Sequence, residues 1–523
     1  MPQILLRGNS ELFATDLFLL GHVFFPGEEF AVVAPPGPAE SGDPPPLWLV
    51  DVEAVPDSEG LRWEVSVRAS GPTGSLETEE TVWRSPSDSP RTFEHRLRNA
   101  AKGLLVDVLS PLRGFHPGWG YLTGVRPTKL VHQMLDQGEP DPAARLVREY
   151  RVAPEKAALL TEVARRQRPF LNRDPRAVSI YIGIPFCPTI CSYCSFSIYP
   201  IKAYRNQVPA FFEALAREME IIGEAIRDLG LRVESVYFGG GTPTSPDEES
   251  FAWMLRKAEE TLWPGQVPEE LTVEGGRPET FTRAKLDAIA RCTAKRIRVS
   301  VNPQTTVQET LLRLGRMHTV EKFYRAYDLV RSHPYPFVVN SDIIIGLPGE
   351  GPAEVARTLS DMARLAPDNL TVHTLAIKRG SKLWEGGAEA LRMLSPHEAE
   401  GLIREAAATA RRMGQHPYYL YRQKYMVGSL ENVGYSLPGA ESVYNIQMME
   451  ERQTIIGVGG GATSKWYKPL GERSGWLLKA PGNPTDPPTY IAKAEELARR
   501  KAAHLRLLYE AAEDGISTGL ETD

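Results

Sequence analysis

The chain has 523 residues, of which 42% are apolar, so it is long enough for two to four domains of roughly 100 to 200 residues each. Its 60 Lys and Arg residues are outnumbered by 66 Asp and Glu residues, and the net charge of −6 excludes the broad basic surface expected of a nucleic-acid-binding protein. No long apolar run occurs, and the first 25 residues lack a basic start. We therefore expect no membrane span and no signal peptide.

The first 172 residues are predicted to form an N-terminal α+β domain. Strand-like runs at 48–56 and 61–70 alternate with turn-rich segments, and a helical pattern follows at 94–112. Prolines and polar residues at 165–178 predict a domain boundary.

From residue 173 to residue 390 the pattern is α/β. Short apolar runs alternate with amphipathic helical segments, which is typical of βα units in a parallel sheet, and right-handed crossovers would close them into a partial parallel (β/α)6 barrel. Two helix starts are predicted, at Ser245-Pro246-Asp247-Glu248 and at Ser395-Pro396-His397-Glu398, each with an N-cap serine and a capping-box glutamate. The six strand candidates are 178–184, 233–240, 270–276, 296–303, 338–347 and 369–377.

Residues 391–523 are predicted to form a C-terminal α+β region that covers the substrate. It contains helical patterns at 397–413 and 487–512, an aromatic segment at 416–426 and a Gly-rich run at 455–465. The Gly-rich run lacks P-loop spacing, and no dinucleotide fingerprint follows the first barrel strand, so nucleotide hydrolysis and hydride transfer are disfavoured.

Three of the four cysteines form a Cys-x3-Cys-x2-Cys motif at Cys187, Cys191 and Cys194, on the loop after the first barrel strand. This clustering indicates a shared ligand role in a reducing compartment, so we expect a cytoplasmic protein. Three thiolates can hold three irons of a 4Fe-4S cluster and leave one iron open to an outside ligand. A structural zinc site is disfavoured because it needs four ligands, and a redox dithiol is the other alternative. Cys292 ends a helical segment and is interpreted as a buried thiol.

The second barrel strand runs into Gly239-Gly240-Gly241-Thr242-Pro243-Thr244, where glycines allow a close approach of backbone to a ligand. CxxxCxxC after strand one and GGGTPT after strand two resemble the radical S-adenosylmethionine (SAM) superfamily. The longer stretch YIGIPFCPTICSYCSF resembles its oxygen-independent coproporphyrinogen III oxidase branch. Five further segments are most similar to the coproporphyrinogen dehydrogenase type of this branch, called HemZ: 119–130, 271–281, 298–305, 340–350 and 431–442.

The resemblance implies cofactors and site residues. It implies that the three cysteines bind a 4Fe-4S cluster and that one or two molecules of SAM bind beside it. Tyr181 and Glu274 are the catalytic candidates, and both are also expected to contact SAM. A carboxylate at the C-terminal end of a barrel strand is hard to explain as core, because unpaired burial is costly. The remaining SAM candidates are Tyr193, Gly240, Gly241, Thr242, Gln304, Arg316, Asp342 and Ala376, of which Gln304, Arg316 and Asp342 match a second SAM site.

The implied reaction is decarboxylation of two propionates of coproporphyrinogen III to vinyl groups. One departure bears on it: the oxidases of the branch have a further cysteine where this chain has Phe196, a replacement shared with haem-trafficking relatives. A haem-binding protein without decarboxylase activity, with His373 or Tyr421 as axial ligand, is therefore the alternative, and a radical enzyme for another large anionic substrate is a third.

A substrate with four propionates needs cations and aromatic walls. The candidates for these roles are Tyr418, Tyr419, Tyr421, Arg422, Lys424 and Tyr425, together with Arg126 and Lys129. For the partners, we expect a one-electron donor such as flavodoxin or ferredoxin, and we expect the chain to be a monomer that binds no nucleic acid.

Overall fold

The computed structural model describes residues 4–25, 28–33, 46–171, 174–377, 381–385, 394–423, 426, 430–470, 473–479 and 482–510. The chain divides into two compact units, residues 1–161 and residues 162–523. None of the helices in these ranges is both long and apolar enough to span a membrane.

The first unit is an α+β unit built on a five-stranded sheet of order β2-β1-β3-β4-β5. Strand β1 pairs in parallel with β2 and β3, whereas β3, β4 and β5 form an antiparallel meander. Helix α2 begins with Ser89 as its N-cap and ends at Gly114 in the left-handed conformation, and its apolar face packs into the same core as the sheet. The elements are β1 (Ile4–Gly8), α1 (Ala14–Phe24), β2 (Phe30–Val33), β3 (Trp48–Pro56), β4 (Arg62–Gly71), β5 (Gly74–Trp83), α2 (Pro90–Arg113), α3 (Thr128–Asp136) and α4 (Pro142–Tyr150), followed by α5 (Pro154–Gln167).

The second unit has the predicted βα alternation followed by further strands and helices. Its elements up to residue 374 are β6 (Ala177–Ile184), β7 (Phe186–Cys187), β8 (Tyr199–Pro200), α6 (Val208–Asp228), β9 (Arg232–Gly240), α7 (Glu248–Leu262), β10 (Glu270–Glu274), α8 (Arg283–Ala290), β11 (Ile297–Ser300), α9 (Gln308–Arg313), α10 (Val320–Arg331), β12 (Val338–Ile345), α11 (Pro352–Leu365) and β13 (Asn369–Thr374). The later elements are α12 (Lys382–Glu385), α13 (Pro396–Arg412), β14 (His416–Tyr421), β15 (Asn432–Ser436), α14 (Val443–Glu450), β16 (Thr454–Gly459), β17 (Lys465–Leu470), β18 (Arg473–Lys479) and α15 (Pro487–Glu510).

Strands β7 and β8 form a separate two-stranded sheet, and the other strands of this unit form one sheet of order β14-β15-β13-β12-β11-β10-β9-β6-β16-β17-β18. The six predicted strands are confirmed as β6, β9, β10, β11, β12 and β13, and each pairs in parallel with the next in chain order. The two edge strands, β14 and β18, do not pair with each other, so the parallel sheet is a partial barrel. The carboxyl ends of its strands lie at one edge, where active sites of parallel barrels are assembled.

The Gly-rich run contains a strand that its composition does not predict. Strand β16 is fully buried and pairs in parallel with β6, so it adds a seventh parallel strand beside the first one. Its glycines are required by close backbone contacts: a Cβ on Gly459 would lie 2.3 Å from the carbonyl oxygen of Gly183.

A buried polar cluster holds the C-terminal helix against the barrel. Glu218 of α6 is fully buried and pairs with Lys501 of α15. The Tyr490 hydroxyl and the Gly459 amide also donate to the Glu218 carboxylate, at 2.6 and 2.8 Å. Because the buried charge is paired and hydrogen-bonded, the cluster ties α15 to the end of β16.

One predicted helix start is confirmed and the other is wrong. Ser395 caps α13 with the expected capping box to Glu398. Helix α7, however, is capped by Asp247, whose side chain accepts from the Ser250 amide. Ser245 instead donates from its hydroxyl to the backbone oxygen of Phe186 at 3.3 Å, so tertiary contact with the loop after β6 takes precedence over capping.

Candidate active site

The three clustered cysteines lie on a loop that is held in place by backbone hydrogen bonds. We call residues 187–194 the cysteine loop. It begins at Cys187, whose carbonyl accepts from the Ile201 amide at 2.9 Å. Further along, the Ser192 amide donates to the Leu314 carbonyl at 2.9 Å. The loop is thus anchored both to the chain that follows it and to the end of α9.

The sulfur atoms are free thiols in a largely buried environment. Cys187 Sγ lies 3.2 Å from the Thr242 hydroxyl, and Arg277 donates from Nη1 to Cys191 Sγ at 3.1 Å. Burial raises the pKa of Cys187 to about 12 and also raises the pKa of Cys194. Metal ligation therefore has to displace protons here, and the nearby guanidinium favours the thiolate form.

This donor set fits a 4Fe-4S cluster. Among the described residues, no three His, Cys, Asp or Glu side chains converge as ligands of one metal ion. In a four-iron cluster each thiolate binds a different iron, so the three sulfurs need not converge on one point. Three thiols on a single anchored loop can supply its ligands. The guanidinium hydrogen-bonded to one of them is complementary to the negative charge of such a cluster.

The glycines after β9 bring that strand end against the cysteine loop. Gly240 has a φ of 105°, and the amides of Gly241 and Thr242 donate to the carbonyls of Ile184 and Phe186, both at 2.7 Å. A Cβ on Gly241 would lie 2.6 Å from the Phe186 oxygen and 3.0 Å from Cys187 Sγ. The close approach expected here is therefore made to the cysteine loop, and these two amides are used within the protein rather than left open for a ligand.

Glu274 lies at the end of β10 beside a stack of tyrosines. The ring of Tyr237 stacks on Tyr444 with centroids 4.5 Å apart and on Tyr181 at 6.1 Å. Its hydroxyl donates to Glu274 Oε2 at 3.2 Å. Burial, assisted by the nearby negative charge of Asp342, raises the pKa of Glu274 to about 7. A carboxylate that pairs with no Lys or Arg in the described part of the chain and lies against stacked aromatic rings is suited to receive a cationic or hydroxyl-bearing ligand.

Arg316 and Asp342 are connected through one asparagine. Buried Arg316 donates to the Tyr193 hydroxyl at 3.1 Å and to the carbonyl oxygens of Gly276 and Asn302 at 2.9 and 2.8 Å. The Asn302 side chain in turn donates to Asp342 Oδ2 at 2.7 Å. Arg316 thus contacts the cysteine loop through Tyr193, whereas Asp342 lies near Glu274. Both residues are among those predicted for a second SAM site.

Gln304 and Ala376 lie next to the ends of the later strands. Gln304 has a φ of 66° and forms a bridge to Ile343, and its buried Oε1 has no hydrogen-bond partner among the described residues. Ala376 is half-buried and bridges to Met426. An orphaned buried amide oxygen with left-handed backbone at a strand end is a suitable acceptor for a bound ligand.

Several described residues of the aromatic segment predicted for the substrate lie in the core. Tyr418 and Tyr419 are buried, and Arg422 is buried with Nε donating to the Leu430 carbonyl at 3.4 Å. Of the described substrate candidates in this segment, Tyr421 is the one that is half-buried, and its hydroxyl lies 3.2 Å from His373 Nδ1. Two other candidates, Lys424 and Tyr425, lie outside the described residues. Arg126 and Lys129 belong to the first unit.

Two further sequence interpretations can be compared with the structure. Cys292 is buried at the end of α8, 3.7 Å from the Ala288 carbonyl, which confirms it as an ordinary buried thiol. Phe196 is 71% exposed just after the cysteine loop.

Sequence reasoning missed four residues of this edge: Arg277, Asn302, Tyr237 and Tyr444. Three of them lie at or just after the ends of predicted strands: Tyr237 in β9, Arg277 after β10 and Asn302 after β11. The period-2 alternation along β9 places Tyr237 on the face of Gly239, so it was a recoverable signal. Tyr444 comes from α14, and no local pattern indicates its stacking.

The fold and this site define a radical SAM protein: the Radical SAM superfamily model matches residues 181–362. The chain is 38% identical to the oxygen-independent coproporphyrinogen-III oxidase-like protein HemZ of Bacillus subtilis, over 90% of this chain and 93% of that one. It is 25% identical to the heme chaperone HemW of the same organism, over 54% of this chain and 70% of that one. The chain therefore belongs to the HemZ-type, oxygen-independent coproporphyrinogen III oxidase-like family, whose cofactors are a 4Fe-4S cluster and SAM.

Among solved structures, the chain is similar to the coproporphyrinogen III oxidase HemN from Escherichia coli, described as a radical SAM enzyme. The match has a TM-score of 0.48 and 20% identity, and it covers 64% of this chain and 73% of that one.

Proposed function

We propose that this protein catalyses the oxidative decarboxylation of two propionate side chains of coproporphyrinogen III to vinyl groups, which yields protoporphyrinogen IX. The observation that carries the proposal is the similarity to HemZ over 90% of this chain, combined with an anchored loop of three free cysteines at the edge that also holds Glu274. Each propionate would lose a hydrogen atom from its β-carbon, one electron and CO2, so an electron acceptor is needed besides the one-electron donor.

In this proposal Cys187, Cys191 and Cys194 hold the cluster. SAM would lie against Glu274 and against the tyrosine wall, which we define as the stacked rings of Tyr181, Tyr237 and Tyr444. When bound, the reduced cluster and SAM supply a primary carbon radical that abstracts hydrogen. The remaining SAM-binding residues are Tyr193, Gly240, Gly241, Thr242 and Ala376, with Gln304, Arg316 and Asp342 for a second molecule.

The chain's own residues have three tasks in this reaction. The ionised Glu274 accepts hydrogen bonds from the ammonium group or ribose of SAM, and Tyr237 holds that carboxylate in place through its hydroxyl at 3.2 Å. The stacked rings of Tyr181, Tyr237 and Tyr444 keep water from one side of the reacting carbon. Asn302 aligns Asp342, and with it the end of β12, toward the same space.

The experiment is an anaerobic assay of the iron–sulfur-reconstituted chain with SAM, a strong reductant and coproporphyrinogen III. Porphyrin products and 5′-deoxyadenosine are followed by mass spectrometry. Loss of two carboxyl groups, with matching formation of 5′-deoxyadenosine, supports the decarboxylase. Cys292→Ala is the matched control, because it removes a buried thiol away from the cysteine loop.

A haem-binding function without decarboxylation is the second candidate. It is favoured by the exposed Phe196, where the oxidases of the branch carry a cysteine, and by the similarity to a heme chaperone. If the assay produces 5′-deoxyadenosine but leaves the porphyrin unchanged, a spectral titration with haem follows. His373 and Tyr421 are the ligands to replace in that titration.

We further propose that the protein works as a monomer in the cytoplasm, where a reducing environment keeps the cysteine loop available for the cluster and a flavodoxin or ferredoxin can deliver electrons.

A further inference from the structure

Arg277 directs one N–H group at a sulfur atom of the cysteine loop. Arg277 lies just after the end of β10 and is only 3% exposed. Its Nη1 donates to Cys191 Sγ at 3.1 Å. Arg316 approaches the same sulfur only to 4.0 Å, and its terminal nitrogens also donate to the Tyr193 hydroxyl and to backbone carbonyls. Arg277 is therefore the closer hydrogen-bond donor of the two.

The guanidinium of Arg277 is held rigidly by its remaining donors. Its Nε and Nη2 both donate to Glu279 Oε1, at 2.9 and 2.7 Å, and Nη2 also donates to the Thr189 hydroxyl at 2.7 Å. Thr189 belongs to the cysteine loop itself, and its hydroxyl donates to the Gly315 carbonyl at 3.2 Å. The N–H toward Cys191 is thus fixed from both sides, by a carboxylate partner and by the loop that carries the sulfur.

We propose that Arg277 sets the reduction potential of the 4Fe-4S cluster by donating this hydrogen bond to the Cys191 thiolate. The inference rests on Cys191 being a cluster ligand, as in the proposed function. Reduction adds one negative charge to the cluster. A cation and an N–H donor beside a ligand sulfur stabilise that extra charge, and they do so more strongly in a buried site of low dielectric. Arg277 therefore raises the potential and makes the cluster easier to reduce by a physiological donor.

Glu279 acts in the opposite direction. Its negative charge offsets that of Arg277, so removing it while keeping the guanidinium leaves a stronger positive field at the sulfur. Burial alone would raise the pKa of Glu279, but the His318 ring, whose Nδ1 lies 3.4 Å from Oε2, and the Arg277 charge outweigh it and hold the pKa far below its usual range. Glu279 is therefore ionised at neutral pH, and the variant Glu279→Gln removes a full charge.

The test is a redox titration of the reconstituted full-length protein, followed by electron paramagnetic resonance of the reduced cluster, without SAM or substrate. In Arg277→Met the ratio of reduced to oxidised cluster at a given potential should fall about tenfold, which is a downward shift of about 59 mV for a one-electron couple. Arg277→Lys keeps the positive charge but loses the planar guanidinium, so its reduction potential should lie between those of the wild type and Arg277→Met. Glu279→Gln should shift the potential upward.

Arg283→Met is the matched control, because it removes the same charge from an exposed arginine of α8 that pairs with Asp287. Its potential should equal that of the wild type. An unchanged potential in a fully loaded Arg277→Met, an equal shift in Arg283→Met, or a downward shift in Glu279→Gln would each overturn the inference. If Arg277→Met loads poorly, Glu279→Gln and Arg277→Lys still decide it by the sign and size of their shifts.

These outcomes are separate from those of the decarboxylation assay. A chain that holds a cluster with the expected shifts but leaves coproporphyrinogen III unchanged would refute the proposed reaction and keep the role of Arg277. A wild-type chain that binds no cluster would refute both.

Discussion

Glu274 should make the cofactor-free protein less stable as the pH rises. Its carboxyl is enclosed by the tyrosine wall, lies near the charge of Asp342 and receives one hydrogen bond, from Tyr237. Because burial raises its pKa from 4.5 to about 7, the folded chain holds this proton over a pH range in which the unfolded chain has released it. The free energy of unfolding therefore falls as the pH rises from about 4.5 to about 7, and it stays low above that range.

The size of this effect follows from the same two values. Each tenfold change in an acid constant corresponds to about 1.4 kcal/mol, so the interval from 4.5 to about 7 amounts to about 3 kcal/mol. Because Glu274 is only half-buried by its surface area, water at the open side reduces this figure, which is an upper value. Glu274→Gln keeps the shape and an acceptor for Tyr237 but cannot ionise. It should therefore be more stable than the wild type at pH 8, by up to about 3 kcal/mol, and nearly equal to it at pH 5.

The assay is urea unfolding of the cofactor-free chain at pH 5 and pH 8, under anaerobic conditions. Hydrogen exchange of the peptide that contains β10, measured by mass spectrometry, reports the unfolding of the barrel separately from that of the first unit. Glu279→Gln is the matched control of opposite sign: the pKa of Glu279 is lowered, so its removal should destabilise the protein at pH 8. If Glu274→Gln has the stability of the wild type at pH 8, or gains more at pH 5 than at pH 8, the reasoning is refuted.

Three further substitutions test other parts of the structure. Alanine at any of the three positions of the cysteine motif should abolish cluster binding and SAM cleavage, measured as bound iron and 5′-deoxyadenosine, whereas Cys292→Ala should retain both. Gly241→Ala, whose Cβ would lie 2.6 Å from a backbone oxygen, should bind several-fold less iron, whereas Gly401→Ala, with open space around it, should bind the normal amount. Lys501→Met should lose about 3–5 kcal/mol in urea unfolding, since it leaves Glu218 buried and unpaired, and adding Glu218→Gln should restore most of that loss.

The barrel was predictable because its strands are buried on both faces. The six apolar runs at 178–184 through 369–377 carry this signal directly, and their order in the sheet follows from right-handed crossovers between neighbours. Strand β16 escaped prediction because its glycines argue against a strand by propensity. Its place is set by contacts with Gly183, far away in sequence, and no local rule contains them.

Helix capping shows the same limit on a smaller scale. Ser245 and Asp247 are both good N-cap residues, and the sequence places a proline and a glutamate suitably for the first. Asp247 is the N-cap because the Ser245 hydroxyl donates instead to the carbonyl of Phe186, next to Cys187. A local pattern thus locates the helix start to within two residues, and the packing of the cysteine loop decides the rest.

The residues of the candidate site that belong to a sequence motif were predictable. Those that join the site through tertiary contacts were not. The spacing of the cysteine motif is a strong signal by itself, and the acidic end of β10 is conspicuous in an apolar strand. Arg277 differs from these, because GGRPETF has the composition of an ordinary turn and nothing in it indicates a partner 86 residues away. The segment at 416–426 shows the converse: no local pattern indicates that two of its tyrosines, Tyr418 and Tyr419, lie in the core between β14 and α14.

The charges around this edge are arranged in two groups that the fold alone does not require. Arg277 and Arg316 face the cysteine loop, whereas Glu274 and Asp342 lie near each other on the side of the tyrosine wall. In the cofactor-free protein this separation is unfavourable, since the two carboxylates repel each other and no described Lys or Arg pairs with Glu274. An iron–sulfur cluster is anionic, and SAM carries a sulfonium and an ammonium group. With the cofactors bound as we propose, the same separation would become favourable, and the stability that Glu274 removes from the empty protein would be returned as affinity for the cationic cofactor.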